Sequence, residues 1–196
     1  MNDYRIEIHP LQPFLPSNAI LLLLGSFPPP RSKWRMDFFY PNFQNDMWRI
    51  MGVAFFNDKD HFLTEDKKSF NKKRIICFLE EKGIAIFDMA HKVIRHKENA
   101  SDRNLEVVAP IDIRSVLLQI PSCRFLAATG EKAMDTLLSQ FPSVEKRPSI
   151  GNFIEIPIDE QLYRLYRMPS SSRAYPKSLE EKASFYAKMF HDAGLL

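Results

Sequence analysis

The chain reads as an α/β protein, a three-layer sandwich in which helices cover both faces of a mainly parallel, four-stranded sheet. Three observations predict this. Four short apolar runs, at residues 19–24 (AILLLL), 84–88 (IAIFD), 124–129 (RFLAAT) and 162–168 (LYRLYRM), have strand length and are separated by stretches of helical period. The first and third runs do not alternate polar with apolar, as expected of parallel strands covered on both faces. Strand alternating with helix also requires right-handed crossovers, which lay helices against the sheet.

Each element has its own signal. After the first run, residues 45–54 place Met47, Ile50 and Met51 on one side of a helix. Residues 66–82 carry Phe70, Ile75, Ile76 and Leu79 in a charged frame and predict a second helix. Residues 111–119 precede the third run as a helix, and 131–140 follow it after a glycine turn. The segment 153–158 is a candidate for one further strand. The run at 162–168 alternates, which places it nearer a sheet edge. The last helix, 179–193, opens at Ser178 with Glu181 three residues on, a capping-box pattern, and its apolar stripe is Leu179, Ala183, Tyr186 and Phe190. There is no repeat, low-complexity segment or linker, so one domain is expected over residues 1–196.

Composition narrows the function classes. The 196 residues are 45% hydrophobic and 26% charged, an ordinary globular balance with enough chain for a sizeable core. No run approaches the roughly 18 apolar residues of a membrane helix. The opening MNDYRIEIHP lacks the basic-then-apolar pattern of a signal peptide. Cys77 and Cys123 sit among apolar neighbours without a metal-ligand partner nearby, and read as buried free thiols. A cytoplasmic, intracellular setting is expected.

Net charge is only +3, but the cations cluster. Arg31, Lys33 and Arg35 crowd the first loop, and Lys92, Arg95, His96 and Lys97 follow the second apolar run. Arg164, Arg167, Arg173 and Lys177 surround the last loop. Cations gathered at strand ends are what phosphate binding requires. The run Lys67, Lys68, Lys72, Lys73 and Arg74 reads instead as a solvated helix face.

Sites in open parallel sheets form beyond the carboxyl ends of the strands, which directs attention to the loops after Leu24, Asp88, Thr129 and Met168. The first begins GSFPPP and continues through Trp34, Phe38, Phe39, Tyr40 and Phe43. Its prolines stiffen the chain, and its aromatics either seal the edge of the core or offer a stacking platform for a flat ring. The last, PSSSRAYP, brings three small hydroxyls and an arginine, groups that approach and donate to phosphate.

GSFPPP after an apolar strand, FYPNFQNDMWRIMG next, and PSSSRAY late in the chain together resemble the uracil-DNA glycosylase superfamily, most closely its hypoxanthine-DNA glycosylase and mismatch-specific branches. The likeness spans residues 18–190. It implies hydrolysis of the N-glycosidic bond of a deaminated or mismatched base flipped out of double- or single-stranded DNA. By the same likeness the enzyme is monofunctional and monomeric, with no metal and no cofactor. Ser26 stands where some relatives carry a catalytic asparagine. The hypoxanthine branch assigns the task to the asparagine three residues before the motif tryptophan, here Asn45 before Trp48. The two residues inserted before Asn45 keep Asn42 as the alternative. The resemblance further implies base contacts from Ser26, Phe27, Phe38, Phe39 and Asp88, and DNA contacts from Ser170, Ser171, Ser172 and Arg173, the last replacing a more usual proline.

Two other readings compete with an active glycosylase. One is a relative of the same fold that binds DNA without cleaving it. The other is an unrelated α/β hydrolase. Against the latter, GSFPPP lacks the aspartates of a calcium-binding nucleoside hydrolase, and Ser26 lies in no G-x-S-x-G elbow. His91 and His96 are expected on a solvated loop.

Overall fold

The apolar runs become strands because the middle of the molecule offers burial on both faces. In the computed structural model, which describes residues 5–97 and 101–196, the first half of the chain contains β1 (Ile6–Ile8), β2 (Leu21–Gly25), α1 (Met47–Phe56), α2 (Lys72–Lys82), β3 (Ile84–Asp88), β4 (Ala90–Arg95) and β5 (Leu105–Pro110). The second half adds α3 (Ile113–Leu117), β6 (Phe125–Ala128), α4 (Glu131–Leu138), β7 (Phe153–Ile158), β8 (Gln161–Arg167) and α5 (Leu179–Asp192).

The main sheet has the order β3-β2-β6-β8-β7, five strands rather than the expected four. Its first four are mutually parallel, while β7 pairs antiparallel with β8 and forms the edge. The alternating strand β8 lies second from that edge, covered on its outer side by β7. Every residue of β2 and β3 is buried, so both faces of the sheet are covered there.

A second, antiparallel sheet, β1-β4-β5, is absent from the sequence reading. Its strands are short and half exposed, and β4 carries the cations that read as a loop. His91 and Lys92 lie within it, and His96, just beyond, bonds Glu106 at the surface.

Helix boundaries follow local chemistry. The helix expected from residue 66 begins only at Lys72. Lys67 has φ of 54°, which no helix passes through, and the Thr64 hydroxyl and Lys68 amide both bond the Asp66 carboxylate in a turn. The Asn71 side chain then accepts from the Arg74 amide as the true N-cap. The helix expected over 111–119 contracts to α3, capped by Asp112. The capping box of Ser178 and Glu181 forms at the start of α5 as the sequence requires, and α5 lies against α1. Cys123 is buried, but Cys77 is exposed, correcting the expectation of two buried thiols. None of the helices among the described residues is long and apolar enough to cross a membrane.

Candidate active site

The strand register sets the site. Gly25 pairs with Asp88, Leu24 with Ala128, and Ala128 with Arg167, so four parallel strands end level with one another. From β2 the chain moves to β3 on one side and later enters β6 on the other, which makes the end of β2 a topological switch point. A cleft of about 890 Å³ opens there. It collects the turn Gly25–Phe27, Asn42 and Asn45 before α1, Asp88 after β3, Thr129–Lys132 after β6, and Met168 with Ser170–Tyr175 after β8.

At its floor, Gly25 is required for space. A methyl group there would collide with Asp88 Oδ1 and approach the Tyr40 hydroxyl to 3.3 Å. The Gly25 and Ser26 carbonyls accept from the Met89 and Ala90 amides, which fixes the turn against the start of β4. Asp88 is buried, and its Oδ2 lies 2.9 Å from His9 Nε2. His9 is wedged between rings: Phe27 meets it edge-on at 5.3 Å, and Phe39 lies over it at 6.2 Å. Tyr40 adopts a left-handed backbone with φ of 50° and bonds Thr129 Oγ1 at 2.8 Å. Because Thr129 donates in turn to the Leu24 carbonyl, the Tyr40 hydroxyl is the donor to Thr129. Burial, reinforced by the charge of Asp88, holds the Tyr40 phenol far above its ordinary pKa, so it stays neutral.

Asn45 lies half-buried in the wall. Its Oδ1 accepts from the Met47 amide at 2.9 Å, capping the first turn of α1, and retains a second lone pair for a further donor. Asp46, the formal N-cap, makes no side-chain capping bond. Its carboxylate instead takes Arg173 Nε at 2.8 Å and Lys182 Nζ at 3.3 Å, and its amide donates to the Ser171 carbonyl. Lys182 is itself buried and also donates to the Ser172 carbonyl. Asp46 thus clasps the late loop to the start of α1, reinforced by a bridge between Asn45 and Ser172.

In the late loop, the Ser170 and Ser172 hydroxyls accept from the Ser172 and Ala174 amides, which leaves their O–H protons able to donate outward. Ser171 is only 2% exposed and belongs to the framework. The Arg173 guanidinium folds back onto Asp46 and Gln44.

The cleft therefore unites Ser26, Phe27, Asn45, Asp88 and the Ser170–Arg173 segment. Phe38 and Phe39 do not line it; they are core residues packed against Trp48, Phe14 and Phe87. Asn42 lines it as well, with its Oδ1 engaged by the Gln44 amide. Sequence reasoning missed His9 and Asp102. Ser26 Oγ donates to Asp102 Oδ1 at 2.8 Å, which brings the connection between β4 and β5 to the mouth. Burial raises the Asp102 carboxyl above its ordinary pKa; Asp88 adds to the rise, while the Ser26 hydrogen bond, Lys132 and Arg95 oppose it. Neither His9 nor Asp102 carries a local sequence signal, because each is defined by a partner far away in the chain. Among the described residues no group of three or more His, Cys, Asp or Glu is set to hold a metal ion.

Fold and cleft together define an α/β protein with a cleft of mixed polar and apolar lining at its switch point. Among solved structures, the fold is similar to that of a Methanosarcina acetivorans protein whose solution NMR structure is described as a "putative Uracil DNA glycosylase". The TM-score is 0.60 at 22% identity, over 97% of this chain and 99% of that chain, a likeness of fold. No protein-family model and no curated protein matches the chain.

Proposed function

We propose that the protein is a DNA glycosylase of the uracil-DNA glycosylase superfamily, allied to the hypoxanthine and mismatch-specific branches. It hydrolyses the N-glycosidic bond of a deaminated or mismatched base flipped out of DNA. The observation that carries this reading is the meeting, in one cleft at the sheet's switch point, of the Gly25–Phe27 turn, Asn45 and the Ser170–Arg173 loop.

The chemistry is one of positioning. Cleavage passes through a cationic, oxocarbenium-like sugar while negative charge grows on the base. The remaining lone pair of Asn45 Oδ1 accepts from a water and aims its oxygen at C1′. Such a step needs no metal, cofactor or Schiff base. Phe27, at the turn, offers a ring beside the base, and Asp88 offers an acceptor to its edge. Ser170, Ser172 and Arg173 hold the backbone from which the base has swung, a distortion that costs least at a damaged or mispaired position. We infer a single-domain enzyme that acts as a monomer within the cell.

The second reading, a DNA binder without catalysis, is favoured by one detail: part of Asn45 Oδ1 is already spent on capping α1. A panel of end-labelled duplexes, each holding one uracil, hypoxanthine or mismatched thymine, separates the two. Alkaline cleavage should reveal abasic sites from at least one of these substrates, with full activity in a chelator. Asn45→Ala should abolish release while retaining duplex binding. Because that change also removes a cap worth about 0.5–2 kcal/mol, Asn45→Ser, which keeps a capping oxygen, should lose release at near-native stability. Binding without release by the wild-type protein would favour the non-catalytic reading.

A further inference from the structure

Besides Asp88 and the ion-paired Glu131, the cleft holds a carboxyl group that the positioning mechanism does not use. Asp102 lies in the connection between β4 and β5 and lines the same cleft as Asn45 and Asp88. Its Oδ1 is fixed by the Ser26 hydroxyl at 2.8 Å, so Oδ2 is the oxygen available to carry a proton. The two carboxyl groups have unlike surroundings. Asp88 is bound to the His9 ring at 2.9 Å, whereas Asp102 receives one neutral hydroxyl. Carboxyl groups in such unlike settings suit different roles.

We propose that Asp102 is the general acid of the reaction, delivering a proton to the departing base while Ser26 holds its carboxyl group in place. The assignment rests on the glycosylase reading of the cleft. The bond from C1′ to the base nitrogen breaks, and its electron pair passes to the base. Asp102 Oδ2–H transfers its proton to the base, which leaves neutral, and Asp102 becomes a carboxylate. The water held by Asn45 bonds to C1′ through its oxygen, and the proton it sheds restores the acid. One water is thereby divided between base and sugar.

Several groups tune Asp102. Asp88 of β3 and burial favour its protonated form; Ser26 on the turn after β2, Arg95 of β4 and Lys132 of α4 favour the carboxylate. Other donors also line the cleft, among them Arg103, Lys132 and Tyr175. The Tyr40 phenol is held neutral and already donates to Thr129, and Arg167 is engaged by Glu131.

Single-turnover base release measured across pH tests the assignment. An acid acts while protonated, so the wild-type rate should fall as pH rises through the Asp102 pKa. Asp102→Asn should lose about 100-fold or more in rate and lose that limb of the profile. Ser26→Ala removes a hydrogen bond to the carboxylate, so the limb should move to higher pH. This second variant remains decisive should Asp102→Asn fold poorly. Asp102→Asn retaining the wild-type profile, or Ser26→Ala leaving the limb in place, overturns the assignment while the glycosylase reading stands. A wild-type protein that releases no base from any duplex overturns that reading and the assignment together.

Discussion

At Gly25 the difference between a hydrogen atom and a methyl group decides the shape of the cleft floor. Gly25→Ala drives a carbon into Asp88 Oδ1 and crowds the Tyr40 hydroxyl. We expect destabilisation of about 1–3 kcal/mol, typical of overpacking, and base release reduced at least tenfold, read from thermal unfolding and the duplex assay. The His9–Asp88 pair sets a second expectation. With side chains only 1% and 9% exposed, His9→Ala strands a buried acceptor at a cost of about 1–3 kcal/mol. A double-mutant cycle with Asp88→Ala should show clear coupling; strictly additive losses would mean that the bond carries no energy. Residues of this kind differ in legibility. Asn45 could be reached by counting from Trp48, because a loop motif keeps its parts adjacent. His9 and Asp102 could not: their partners Asp88 and Ser26 lie 79 and 76 positions away, and no neighbouring residue marks either one.

Among the elements, the join between α1, the late loop and α5 is the most exacting. Asp46 answers both Arg173 and the buried Lys182. Asp46→Ala leaves the ammonium of Lys182 with only a carbonyl partner, and should cost about 3–5 kcal/mol, as broken buried ion pairs do. Adding Lys182→Met removes the stranded charge and should recover much of that loss in urea unfolding. If the double variant is as unstable as the single, the loss belongs to Arg173 or to the loop backbone instead. Strands were legible in proportion to their burial. β2, β3 and β6 are apolar and almost wholly buried, although β3 is an edge strand of the sheet, so their runs stood out. In β1, β4 and β5 one side faces solvent, and His, Lys and Glu interrupt the apolar positions. The edge strand β7, with Pro157 and alternating exposure, fell between the two cases.

For the molecule as a whole, a net charge of +3 is too small to hold DNA by itself. What matters is that Arg103, Lys132, Arg167 and Arg173 line one cleft. Arg167 is committed to Glu131, and Arg173 is shared with Asp46 at 43% side-chain exposure. A phosphate would compete with Asp46 for Arg173. Arg173→Ala should therefore weaken duplex binding evenly across sequences and flatten the slope of log K against log salt by about one. An unchanged slope would mean that Arg173 stays with Asp46 when DNA is bound.

The Asp46 clasp also governs when the cleft can first exist. Its contacts to Arg173 and Lys182 join positions 127 and 136 residues apart, and closing so long a loop is an entropic cost that only late packing repays. During synthesis the Gly25 turn and Asn45 emerge early, but the wall opposite them arrives with the final helix. A nascent chain halted before α5 would carry the Asn45 segment without the support that aims it. On the proposed reading, the cleft can act only once α5 has packed against α1 and the late loop.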